Sequence, residues 1–174
     1  MGTTNYLEVA EVLLKDGREK GEIKSTEHAF IPELIGLADD AISAILNDAL
    51  DYCAGKDPQK ALHITNVWAA FAGMGAVYYW DNDWPKLEKQ GIYHSLTQER
   101  GWGKMDEYVL DTIGIPFESD KGKQLTKYLG YLSWISLHHS FKSATKPGFK
   151  EILCSAKAMF AFGMVYEMNR LGLY

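Results

Sequence analysis

The sequence predicts an all-α protein, an antiparallel helical bundle of four long helices over about 32–53, 59–80, 119–142 and 149–171. An N-terminal helix at 6–18 and short helices within 81–118 complete it. Three observations predict this. Apolar residues recur at three- and four-residue spacing over long segments instead of alternating. The segments open on Asn, Pro, Ser or Asp and close on Gly, the residue types that begin and end helices. With 174 residues, 47% of them hydrophobic, the chain can bury a continuous core without staples, so 1–174 reads as one domain.

Asn5 followed by Glu8 makes a capping-box start for the first helix. Tyr6, Leu7, Ala10, Leu13, Leu14 and Gly17 share its apolar side, while Glu8, Glu11 and Lys15 lie opposite. The charged stretch 16–26, with two glycines, reads as an exposed connector. Pro32 suits a helix first turn, where its missing N–H costs nothing, and Glu33 favours that end. The helix it opens runs to Cys53 and stops at Gly55; Asp40, Ser43, Asn47 and Asp51 form its consistent polar stripe.

After Pro58 a third helix divides its faces by size instead of polarity. Ile64, Val67, Trp68, Phe71, Met74 and Tyr78 make a bulky side, and Thr65, Ala69, Ala72, Gly73 and Ala76 a small one. Small residues at this spacing let another helix backbone approach, which places this helix at the centre. Within 81–118, helical pieces at 84–89 and 104–112 are separated by glycines, and the segment is expected to cover one end of the bundle. Ser119 or Asp120 caps the next helix. Leu125, Tyr128, Leu129, Leu132, Ile135, Ser136 and His139 line its inner face, with Ser133, Ser136 and Ser140 as a second small-residue ridge. The last helix follows Pro147 and Gly148, is apolar nearly all round, and ends at Gly172.

Two hairpins result, and the second helix of each carries Gly-x-Val-Tyr: Gly75, Val77, Tyr78 in one and Gly163, Val165, Tyr166 in the other. Short connections make the paired helices antiparallel neighbours. So brief a repeat leaves internal duplication open.

Eighteen basic against twenty-three acidic residues give a net charge of −5, and no Lys/Arg cluster offsets it, so nucleic acid is not an expected partner. The run 64–80 is nearly free of polar residues but short for a span of about 20 residues and lacks flanking basic clusters. It reads as a buried helix, and no membrane span is expected. Cys53 and Cys154 form no C-x-x-C pair. With no signal peptide at the N-terminus, both read as reduced thiols in a soluble, cytoplasmic protein.

Metal chemistry, the usual function of a four-helix bundle, is tested by spacing. Glu-x-x-His, His-Glu-x-x-His and zinc-spaced Cys/His sets are all absent, so neither a metal site nor a cofactor is identifiable. The acidic, aromatic stretch 80–84 lacks the ligand register of a calcium loop, and Asp83 there reads as a helix cap. Phosphate-cradling loops and nucleophile elbows are missing too. His139 shares a face with Tyr128, Leu132 and Ile135 and is expected to be largely buried. There its imidazole could ligate or act as a base, or more simply bond a hydroxyl or carbonyl. Glu167, on the stripe of Ala156, Phe160 and Gly163, could carry a raised pKa, or pair with Arg170 near solvent. His63, in a first turn, is expected to be exposed, and His138 likewise.

Two functional expectations follow. The first is a non-enzymatic helical-bundle protein acting through homo-oligomeric or protein–protein assembly, because helices apolar around most of their circumference exceed what one small domain covers. The alternative is a small-molecule-binding protein or enzyme. Its aromatic pocket would be lined by Trp68, Tyr78, Trp134 and Phe160, with His139 and Glu167 as polar groups, for a small apolar or aromatic ligand. It requires His139 and Glu167 to face one cavity.

Overall fold

In the computed structural model, residues 5–24, 31–142 and 148–173 are described. The expected connector therefore lies outside the described residues at 25–26, as does Pro147. Eight α-helices are present among the described residues: α1 (Tyr6–Glu19), α2 (Pro32–Tyr52), α3 (Pro58–Asn82), α4 (Trp84–Gln90), α5 (Ile92–Thr97), α6 (Met105–Ile113), α7 (Asp120–Phe141) and α8 (Phe149–Leu171). No described residue is in a strand.

The capping chemistry forms as its residue types dictate. Asn5, Asp57, Asp83 and Ser119 each accept a backbone N–H three residues on, satisfying a donor the helix leaves open. Glu151 accepts the Gly148 N–H at 2.7 Å, closing the start of α8. Gly172, at φ 75°, ends α8 in the left-handed conformation that only glycine adopts cheaply. Ends agree with expectation to within about two residues.

α2 packs on α3, and α7 on α8, as antiparallel hairpins. For α7 and α8 the direction is read from Ser140 against Cys154, Ser136 against Ser155 and Tyr128 against Phe162. α3 and α8 run parallel. Asn66 meets Ser155 near their beginnings, and both far ends reach α6, through Tyr79–Tyr108 on one and Arg170–Ile113 on the other. These two helices share the most extensive packing in the molecule, while α2 and α7 lie on opposite sides of them, each touching both. The bundle is thus flattened, with α3–α8 as its short diagonal.

Glycine makes that diagonal short. A Cβ built on Gly73 would collide with the Phe160 carbonyl oxygen, and one on Gly163 with the Ala70 carbonyl oxygen. Backbone therefore touches backbone, which no larger residue permits. Around the crossing Phe71, Phe160 and Phe162 are fully buried, each adding about 1.5–3 kcal/mol of hydrophobic stabilisation. The contacts relate Gly73 to Gly163 and Ala70 to Phe160 under a pseudo-twofold axis along the helices. Gly75 of the Gly-x-Val-Tyr match is two residues out of that register and faces Leu96 and Val109 instead. The repeated tetrapeptide therefore does not mark equivalent positions.

The segment 81–118 departs from expectation. It lies along the flank of the α2–α3 hairpin more than over its end. The Trp68 Nε1–H donates to the Trp102 carbonyl at 2.8 Å, Trp102 also meets Tyr52, and α5 and α6 cover α2 and α3. Side chains decide this: Gly75 opens a slot in α3 that Leu96 and Val109 fill. α5 and a 3₁₀ turn at Trp102–Lys104 are additional helical pieces that glycine punctuation made look like turns.

No helix among the described residues is long and apolar enough to cross a membrane. The apolar run 64–80 is covered by α2, α6, α7 and α8.

Candidate functional site

His139 and Glu167 are not in one cavity. Because α7 and α8 are antiparallel, His139 stands level with the start of α8 and Glu167 with the start of α7, separated by about 20 Å of helix. His139 is half-buried, not largely buried as expected. It faces Glu8, Val9 and Val12 of α1 across a narrow crevice, and its Nδ1 lies 3.2 Å from the Lys142 ammonium. Burial, Lys142 and His138 all push its pKa down. The His138 ring stands at right angles to it and is exposed, as adjacent helix positions require.

The four aromatic candidates are dispersed as well. Phe160 is fully buried at the α3–α8 crossing, whereas Trp134 is 60% exposed on the outer side of α7. Trp68 and Tyr78 are half-buried and lie about 15 Å apart along α3. A single site formed from these six residues is excluded by their placement.

Glu167 has a different setting. It is buried, and both its oxygens are held by Arg170, Oε1 by Nε at 2.6 Å and Oε2 by Nη2 at 2.9 Å. The same Nη2 donates to the Ile113 carbonyl at 2.6 Å, tying the end of α8 to the end of α6. Burial pushes the Glu167 carboxyl above its ordinary range, with Arg170 opposing, and Glu167 in turn raises Arg170. Beside this pair a cleft of about 340 Å³ opens between the 21–24 turn, the start of α7 and the end of α8. Lys24, Lys121, Tyr166 and Arg170 line it together with Glu22 and Asn169. The Asn169 carboxamide oxygen accepts the Lys24 N–H at 2.7 Å and pins the turn to α8.

A buried polar chain joins α3, α7 and α8, and its order can be read donor by donor. The Asn66 amide spends its two hydrogens on Ser133 Oγ and Ser155 Oγ, at 3.2 and 2.9 Å. Ser136 gives its hydrogen to the Ser155 carbonyl at 2.8 Å, so between the two hydroxyls Ser155 donates. Ser133, which accepts from Asn66, also shares a hydrogen bond with His63 Nδ1 at 2.7 Å. His63 Nε2 is shut from solvent with no partner among the described residues. Burial lowers its pKa accordingly. The expectation of an exposed His63 is overturned because Trp134 lies over the ring at 4.0 Å between centroids. Only the serine ridge on α7 hinted at this network.

The outer faces of α2 and α7 also differ in kind. α7 shows Lys127, Tyr131, Trp134 and His138 at alternating four- and three-residue spacing, all exposed. α2 carries five carboxylates and no basic residue. Its exposed stripe includes Glu33, Gly36, Asp40, Asn47 and Leu50, and beside Gly36 the surface is open.

The chain matches no known protein family, and no curated protein or solved structure is similar to it.

Proposed function

We propose that the protein acts by self-assembly, the α7 face of one copy packing on the α2 face of the next. The supporting observation is that two outer helices on opposite sides of the α3–α8 pair carry complementary stripes. α7 offers large exposed rings, Tyr131 and Trp134, where α2 offers small residues, the open Gly36 and the half-buried Ser43. Lys127 on the first is basic where Glu33 and Asp40 on the second are acidic. Both stripes follow the spacing by which helices interdigitate, and opposite charges set which face meets which. The apolar helices that first pointed to assembly, α3 and α8, are covered within the chain and supply no support for it.

Such a contact is head-to-tail, so it closes into a ring or extends into a filament. Sedimentation across micromolar concentrations tests it, and growth with concentration is expected. Trp134→Glu removes the α7 knob and Asp40→Lys reverses the α2 charge, so each variant alone should be monomeric. Mixed, they retain one good face each, and a one-to-one dimer that grows no further is the expected product. A wild-type chain that stays monomeric throughout would sink the proposal.

A further inference from the structure

We infer that the cleft between the 21–24 turn, the start of α7 and the end of α8 binds a small molecule carrying a phosphate or carboxylate group. At about 340 Å³ it falls within the range of small-molecule sites, about 300–1,000 Å³. Its charge runs against that of the molecule. The chain carries −5, yet among the described residues Lys24, Lys121 and Arg170 line this cleft with only Glu22 on the wall and Glu167 behind Arg170. One positive charge is left in excess.

The donors are held in place before any ligand arrives. Arg170 is oriented by Glu167 and by the Ile113 carbonyl through Nε and Nη2. Its Nη1 makes no hydrogen bond among the described residues and belongs to a residue that lines the cleft. A guanidinium held through Nε and Nη2 leaves its Nη1 hydrogens to meet an oxyanion. Tyr166 adds a hydroxyl; burial pushes its pKa up to about 12, so it stays protonated and able to donate at neutral pH. Lys24 is placed by the bond from its backbone to Asn169, and Lys121 by the first turn of α7. No hydrogen bond or ion pair holds either ammonium group among the described residues, and both lysines are exposed.

The experiment titrates the full chain with inorganic phosphate and, separately, with succinate by calorimetry, against chloride at equal ionic strength. Saturable binding of at least one is expected, and the tighter of the two tells a phosphoryl from a carboxylate ligand. Lys24→Gln and Lys121→Gln should each weaken binding about tenfold, the loss of one charge-assisted contact, with an unchanged circular dichroism spectrum. Arg170 is left intact because its loss would strand the buried Glu167. Absence of saturable binding by both probes at millimolar concentration overturns the inference. So does binding that neither lysine substitution alters.

Discussion

At the α3–α8 crossing two hydrogens decide the packing. Gly73 and Gly163 each face a carbonyl of the other helix, so a methyl group at either position forces the backbones apart. Gly163→Ala is expected to cost about 3 kcal/mol or more, read from urea denaturation, because overpacking here meets backbone that cannot rotate away. Adding Gly73→Ala should cost less than its single effect, since the first substitution has already opened the same contact. His63 carries a pH dependence whose sign follows from burial. Its folded pKa is depressed, so its contribution to stability is complete above the ordinary value near 6.5 and is lost as the pH falls below it. The melting temperature should fall over that range, and less steeply in His63→Asn, which keeps a hydrogen-bonding group near Ser133 without a titrating ring. Glu167, raised by burial, acts with the opposite sign and His139 with the same one. The His63 share is therefore the difference between the two proteins.

Among the helices, the long ones were legible because their signals are local. Pro32, Pro58, Ser119 and Gly172 begin or end helices through bonds and conformations within a few residues. α5 and the turn at Trp102 were not, since Gly91 and Gly101 break the pattern and their helices are held by contacts with α2 and α3. Gly130 offers a test of local propensity free of packing. It lies inside α7, and nothing stands within 4 Å of a Cβ added there. Gly130→Ala should raise stability by about 0.5–1 kcal/mol, the backbone entropy that glycine forfeits in a helix. Ser119→Ala should lower it by about 1 kcal/mol by releasing the Gly122 N–H. Chemical denaturation of both, compared with wild type, separates propensity from capping.

For the molecule as a whole, charge is distributed more tellingly than its total. α2 holds five carboxylates and no basic residue of its own, only Asp39 pairing with Lys157 of α8 among the described residues, and α7 holds three lysines against Asp120. If these faces meet in the assembled protein, raising the salt from about 0.05 to 0.5 M, where the Debye length drops well below 10 Å, should shift sedimentation toward monomer. An assembly indifferent to salt would place the contact on apolar surface elsewhere. The aromatic pocket failed as a candidate for a geometric reason. Periodicity places His139 and Glu167 on inward faces of two helices, but antiparallel packing puts them at opposite ends.

By itself the sequence determined the all-α class, the boundaries of the long helices and the small face of α3. Periodicity, caps and residue size are properties of neighbours along the chain. The tertiary structure alone decided that α3 and α8 run parallel at backbone contact, that 81–118 lies on a flank, and that α2 and α7 face apart. It also decided that His63 is half-buried under Trp134 and that Arg170, Lys24 and Lys121 line one cleft. Each of these depends on groups distant in sequence meeting in space, and helical periodicity shows which side of a helix is buried but not what covers it.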